Sequence, residues 1–67
     1  KNGKIYTVTA TELNVRAQDG SIITTCKNGA KCQWYGYYTN NLPGMSGKFL
    51  WVIVNGTTGF VSATYVK

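Results

Sequence analysis

Asn55 followed by Gly56 constrains this chain more than any other pair of residues. A two-residue type I′ turn needs positive φ at both central positions, and this pair tolerates that conformation best. The residues before it, 51–54, are aromatic and β-branched, which suits a pleated, half-buried strand. After it, Thr57, Thr58, Phe60 and Val61 suit the returning strand. Residues 62–64 are too few for an α-helix, so a single 3-10 turn is expected there. Tyr65 and Val66 then read as a final strand. A hairpin, a short helical turn and a closing strand together shut the edge of a small barrel.

The rest of the chain fits around that hairpin. Residues 5–10 alternate and are rich in Thr, Val and Tyr, which predicts a first strand. Short strands are expected over 13–16 and 22–26, separated by a loop turning at Asp19 and Gly20. A second hairpin-type turn falls at Lys27, Asn28 and Gly29, and a longer strand runs over 31–38, with Gly36 as its bend or bulge. Residues 39–47 form the one long loop, because Gly, Asn and Pro interrupt any periodicity there. No 3.6-residue pattern and no internal repeat is present. The fold class is therefore all-β, a small barrel of five to seven short antiparallel strands with one 3-10 turn near the C-terminus. Sixty-seven residues make one domain with a small core. The chain starts without Met and looks like a fragment of a longer protein, so residues 1–4 read as a linker or fragment edge and 5–67 as the domain.

Composition narrows the chemistry. There is no His, and the acids are Glu12 and Asp19 alone. Paired-carboxylate catalysis, His-based triads and His-containing zinc sites lack their residues. Two cysteines do not make a structural zinc site, and no Gly-rich loop cradles a phosphate. The expectation is a non-enzyme without metal or cofactor. The formal charge of +5 comes from scattered Lys and Arg. That argues for a solvated surface, or attraction to anionic wall polymers, over a nucleic-acid stripe. No stretch approaches the ~20 apolar residues of a membrane span.

Four phrases occur in an order that resembles the bacterial SH3 domain, SH3b. They are Val8 through Arg16 with its Leu13-Asn14-Val15-Arg16 core, Lys27-Asn28-Gly29 between two strands, Asn55 through Val61, and Ser62 through Val66. The family's recurring phrases are LNVR, KKG and NGKTGYVSSSYL. The likeness covers nearly the whole chain. It departs in a shorter loop after Arg16 and a longer loop over 39–47, and such loops help build the family's binding surface. The resemblance implies a half-open, strongly curved barrel. It implies a non-catalytic module that targets an attached hydrolase, such as an endolysin or autolysin of amidase, muramidase or endopeptidase type, to peptidoglycan. The implied setting is extracellular, at the bacterial cell wall, in a secreted or phage-released multidomain chain where the module is monomeric. The alternative is an interaction domain binding an extended or Pro-rich peptide, as eukaryotic SH3 domains do. The scarcity of acids in the first loop favours the wall.

Candidate ligand residues follow from strand parity. Alternation over 49–54 sets Leu50, Val52 and Val54 on one face and Phe49, Trp51 and Ile53 on the other. A barrel of this size has room for one core, so Phe49 and Trp51 are expected partly outward. The competing expectation is that loop 39–47 folds over them, with Leu42, Pro43 and Met45 in a second cluster. Cys32 and Trp34 align with inward apolar positions of the family that the chain resembles, which by the same alternation leaves Tyr35 and Tyr37 outward. Tyrosine supplies contact area at low entropic cost and a hydroxyl for polar ligands, which suits a peptide stem or bridge, or a sugar face. Arg16 is outward and could meet a ligand carboxylate, while Tyr65 resembles the groove tyrosine of eukaryotic SH3 domains. The candidate set is therefore Tyr35, Tyr37, Phe49, Trp51, Tyr65 and Arg16. Cys26 and Cys32 flank the 27–31 turn, and both are expected to be buried and reduced. They would pair only if their Cα atoms fell within ~7 Å.

Overall fold

The computed structural model describes residues 3–67, so the first two residues of the expected 1–4 edge lie outside the described residues. Six strands appear: β1 (Ile5–Thr7), β2 (Glu12–Arg16), β3 (Ile22–Lys27), β4 (Lys31–Thr39), β5 (Phe49–Val54) and β6 (Thr57–Ser62). A 3-10 turn over Ala63–Tyr65 follows, capped by Ser62, whose side chain accepts from the Thr64 amide. All neighbouring strands are antiparallel, in the order β1-β4-β5-β6-β2-β3. The all-β expectation, the strand count and the 3-10 turn hold. Among the described residues, no helix is long and apolar enough to cross a membrane.

The strand order requires the sheet to roll. β3 and β4 stand four places apart in it, ~19 Å in a flat sheet at ~4.8 Å per strand. Lys27 and Lys31 end and begin those strands, and four residues of chain reach at most ~14 Å. Curling brings the far ends together into a half-open barrel. Val8 is where they meet: its amide donates to the Ala30 carbonyl, and its own carbonyl accepts from the Gly29 amide, both at 2.9 Å. Val8 also bridges to Val66, and Thr7 and Lys67 exchange both backbone hydrogen bonds. The expected final strand is thus a single bridge at Val66. Tyr65 belongs to the 3-10 turn, which starts one residue later than expected. The expected first strand is likewise shorter, ending as a strand at Thr7 because the chain bends at residues 10 and 11 to enter β2.

The central hairpin carries the packing. Asn55 and Gly56 have φ of 51° and 78°, the positive pair that the turn demands. That turn places Trp51 opposite Phe60 and Leu50 opposite Val61. One face of the hairpin supplies Leu50, Val52, Val54 and Val61 to the main core, joined by Val8, Leu13, Val15, Cys26, Cys32 and Val66. Gly59 lets β2 approach, since a Cβ there would stand 2.6 Å from Val15 Cγ1 and 2.9 Å from the Arg16 carbonyl oxygen. The opposite face holds a second, smaller cluster of Phe49, Phe60 and Leu42, with Trp51 against it. Leu42 comes from loop 39–47, so the covering-loop expectation holds for that residue. It fails for Pro43 and Met45, which stay exposed.

Cys26 and Cys32 are both buried free thiols. The Cys26 thiol points to the Leu13 carbonyl at 3.6 Å. Burial pushes both thiols up, that of Cys32 to about 11.

Candidate functional site

A bulge shapes the exposed aromatic surface. In the β4–β5 ladder Trp34 pairs with Val52, yet the next pair is Tyr38 with Leu50. Three residues of β4, 35–37, therefore face the single residue Trp51. Gly36 sits at the centre of this bulge with φ of 88°. Strict alternation is lost there, and Tyr35, Tyr37 and Tyr38 are all exposed. Trp34 stays half-buried against the main core, edge-on to Tyr6, and its Nε1 donates to the Tyr37 carbonyl at 2.9 Å. That bond ties the bulge back to the core.

The six sequence-predicted residues divide between two grooves. Tyr35, Tyr37 and Trp51 share the first, a hollow of about 390 Å³ completed by Phe60 and Gln18. Phe60 is 3% exposed and supports both neighbours. Its ring centroid lies 4.7 Å from that of Trp51 and 6.1 Å from that of Tyr37. Among the described residues, none that lines this groove is charged. Gln18 is presented by loop 17–21, which is braced from within. Arg16 Nη1 donates to the Gly20 carbonyl at 2.8 Å, and the Ala17 and Ser21 backbones close on each other at 2.7 Å. The Ser21 hydroxyl and amide both donate to Asp19 Oδ1, which holds that carboxyl below its usual range.

Arg16, Phe49 and Tyr65 line the second groove, of about 530 Å³, together with Glu12, Asn14, Met45 and residues of the 3-10 turn. Phe49 is 4% exposed there. It contributes a floor rather than an open stacking surface, because Leu42 covers it. Tyr65 is half exposed, and its carbonyl is occupied by the Thr9 amide and hydroxyl. Arg16 spends one guanidinium nitrogen on the loop, which gives it a bracing part beside its place in the groove.

Two members of the aromatic groove escaped the reading of the sequence. Phe60 was legible in principle: a turn centred on Asn55 and Gly56 puts residue 60 across from residue 51 on the same face. Gln18 carried no local signal, since it is the pairing of β2 with β6, Arg16 opposite Phe60, that brings the loop after Arg16 to this row of residues. The described lysines lie outside both grooves. Lys48 stands over the Tyr38 ring at 4.3 Å, Lys4 over Tyr6 at 4.9 Å, and Lys31 donates to the Thr7 hydroxyl. No family model matches this sequence, and no curated protein or solved structure matches it.

Proposed function

We propose that this chain is a non-catalytic module that binds bacterial cell wall and holds an attached hydrolase on peptidoglycan, as its resemblance to SH3b domains implies. The observation that carries this reading is the uncharged groove of Tyr35, Tyr37, Trp51 and Phe60 on a small, braced barrel. Preformed aromatic surface binds a polymer repeat without a large ordering cost. The charge supports the same setting at a second level: a formal charge of +5, with no charged side chain among the described residues that line the groove, favours approach to an anionic envelope without dictating the docked geometry. The location that goes with this reading is the outside of the bacterial cell.

Capture on purified Gram-positive cell walls tests it. Trp51→Ala weakens capture more than about tenfold, as removal of a groove aromatic does. Lys31→Ala and Lys48→Ala alter only its salt dependence, since exposed charges act within a screening length. Trp51→Ala must keep its β-sheet spectrum and a cooperative melt. Capture that survives Trp51→Ala and collapses in moderate salt would assign recognition to the scattered charge and an anionic polymer. Capture of a Pro-rich peptide in place of walls would move the chain to the interaction class.

A further inference from the structure

The aromatic groove has a chemistry more specific than wall binding. Although the chain is net +5, none of the described residues that line it is charged. An anionic ligand therefore finds no counter-charge at the contact, and a cationic ligand finds no carboxylate. A neutral ligand is what remains. Glu12 and Arg16, the charged side chains that a charged peptide would meet, line the other groove instead.

The floor of the aromatic groove also disfavours a peptide that adds as a strand. Peptides that add to a sheet are held by main-chain hydrogen bonds at a free edge. Trp51 and Phe60 lie on the face of β5 and β6, and both strands are flanked on each side: β5 by β4 and β6, and β6 by β5 and β2. What this floor offers is aromatic side chains, a half-buried Trp51 on a buried Phe60, with exposed Tyr35 and Tyr37 beside them. Aromatic faces are electron-rich, and the C–H faces of a pyranose ring are relatively electropositive, so stacking between them is favourable. The polar side-chain groups of the lining residues are the Gln18 amide, the phenols of Tyr35 and Tyr37 and the Trp51 indole N–H. Together they donate and accept, which matches the hydroxyl and acetamido groups of an amino sugar. The bracing of loop 17–21 fixes the backbone that carries Gln18, and the packing of Tyr37 and Trp51 on Phe60 fixes the rings. At about 390 Å³ the hollow falls near the lower end of the ~300–1,000 Å³ range of small-ligand sites.

We infer that this groove binds the face of a neutral N-acetylated sugar of the glycan strand, and not the peptide; in its wall setting the inference rests on the function proposed above. Trp51 and Tyr37 stack on the ring, and Gln18 reads its polar edge.

The test titrates the intact chain with a tetramer of β-1,4-linked N-acetylglucosamine, followed by NMR. In parallel it measures capture on whole walls and on glycan strands stripped of peptide by an amidase. The tetramer should shift the Trp51 indole, the Tyr37 ring and the Gln18 side-chain amide, and the stripped strands should capture the protein. Trp51→Ala should weaken tetramer binding by more than about tenfold, with Trp51→Phe retaining most of it. Tyr37→Ser guards against misreading a fold defect, because Tyr37 is 55% exposed and its loss leaves the core intact; it too should weaken binding. Whole walls captured with no response to tetramer or stripped strands would overturn the sugar assignment and leave wall binding standing. Shifts confined to Glu12, Arg16 and Tyr65 would overturn the choice of groove. Tetramer binding at Trp51 without capture on walls would uphold the sugar groove and sink the wall reading. Silence in all arms would overturn both.

Discussion

Cys32 is completely enclosed, and its environment gives the chain a pH signature. Burial, and secondarily the neighbouring Cys26, raise its pKa from an ordinary 9.0 to about 11. Below pH 9 the thiol is neutral in both folded and unfolded chains, and its contribution is constant. Between 9 and about 11 the unfolded chain gives up a proton that the folded chain still holds, so stability falls as pH rises. Cys26 shifts in the same direction. Cys32→Ala removes this term, although it also leaves a small void. The stability gap between the native chain and Cys32→Ala should therefore narrow as pH rises through that window. Urea unfolding at pH 8, 9.5 and 11 measures it, and a gap independent of pH would contradict the raised thiol.

At the scale of elements, loop 39–47 acts as a lid on the outer face of the hairpin. Most of its residues are exposed, and Leu42 alone is buried, at 3% exposure. That side chain converts Phe49 and Phe60 from surface rings into a second core. Leu42→Ala should cost about 2 kcal/mol, the low end for a buried Leu→Ala, because a loop can settle into the space. The urea midpoint measures the loss, and a change within ~0.5 kcal/mol would show that the loop contributes no packing. The same element explains why Phe49 and Trp51, two residues apart on one face, differ in exposure. Leu42 covers Phe49 and leaves Trp51 half open beside the β4 bulge.

At the scale of the whole molecule, the two clusters lie on opposite faces of the same strands. β5 gives Leu50, Val52 and Val54 to one and Phe49 to the other, and β6 divides Val61 and Phe60 likewise. Neither cluster can dissolve without releasing the hairpin that holds the other. The closing contacts at Val8 then join the sheet's ends to that same core. One cooperative transition is expected, as for most single domains of this size. Thermal melts followed by backbone circular dichroism and by tryptophan fluorescence should coincide, and separated midpoints would show the outer cluster melting alone. The fluorescence reports on both clusters, because Trp34 packs on the main core and Trp51 on the outer one.

Local chemistry in the sequence by itself determined the elements. Positive φ at Asn55 and Gly56 selects a two-residue turn, that turn sets the pairing of residues 51 and 60, and period-two alternation sorts 49–54 into two faces. These depend only on neighbours along the chain, so they could be read without coordinates. Tertiary structure decided which aromatic residues meet. The sheet rolls because β3 and β4 are joined by a turn too short to cross its width. The pairing of β2 with β6 carries Gln18 to the aromatic groove, and the β4 bulge at Gly36 breaks the alternation that would otherwise place Tyr35, Tyr37 and Tyr38. Leu42 reaches Phe49 from a loop whose composition names no partner. Each of these contacts joins segments far apart in the chain, and its position follows from the closed path of the backbone rather than from any local preference.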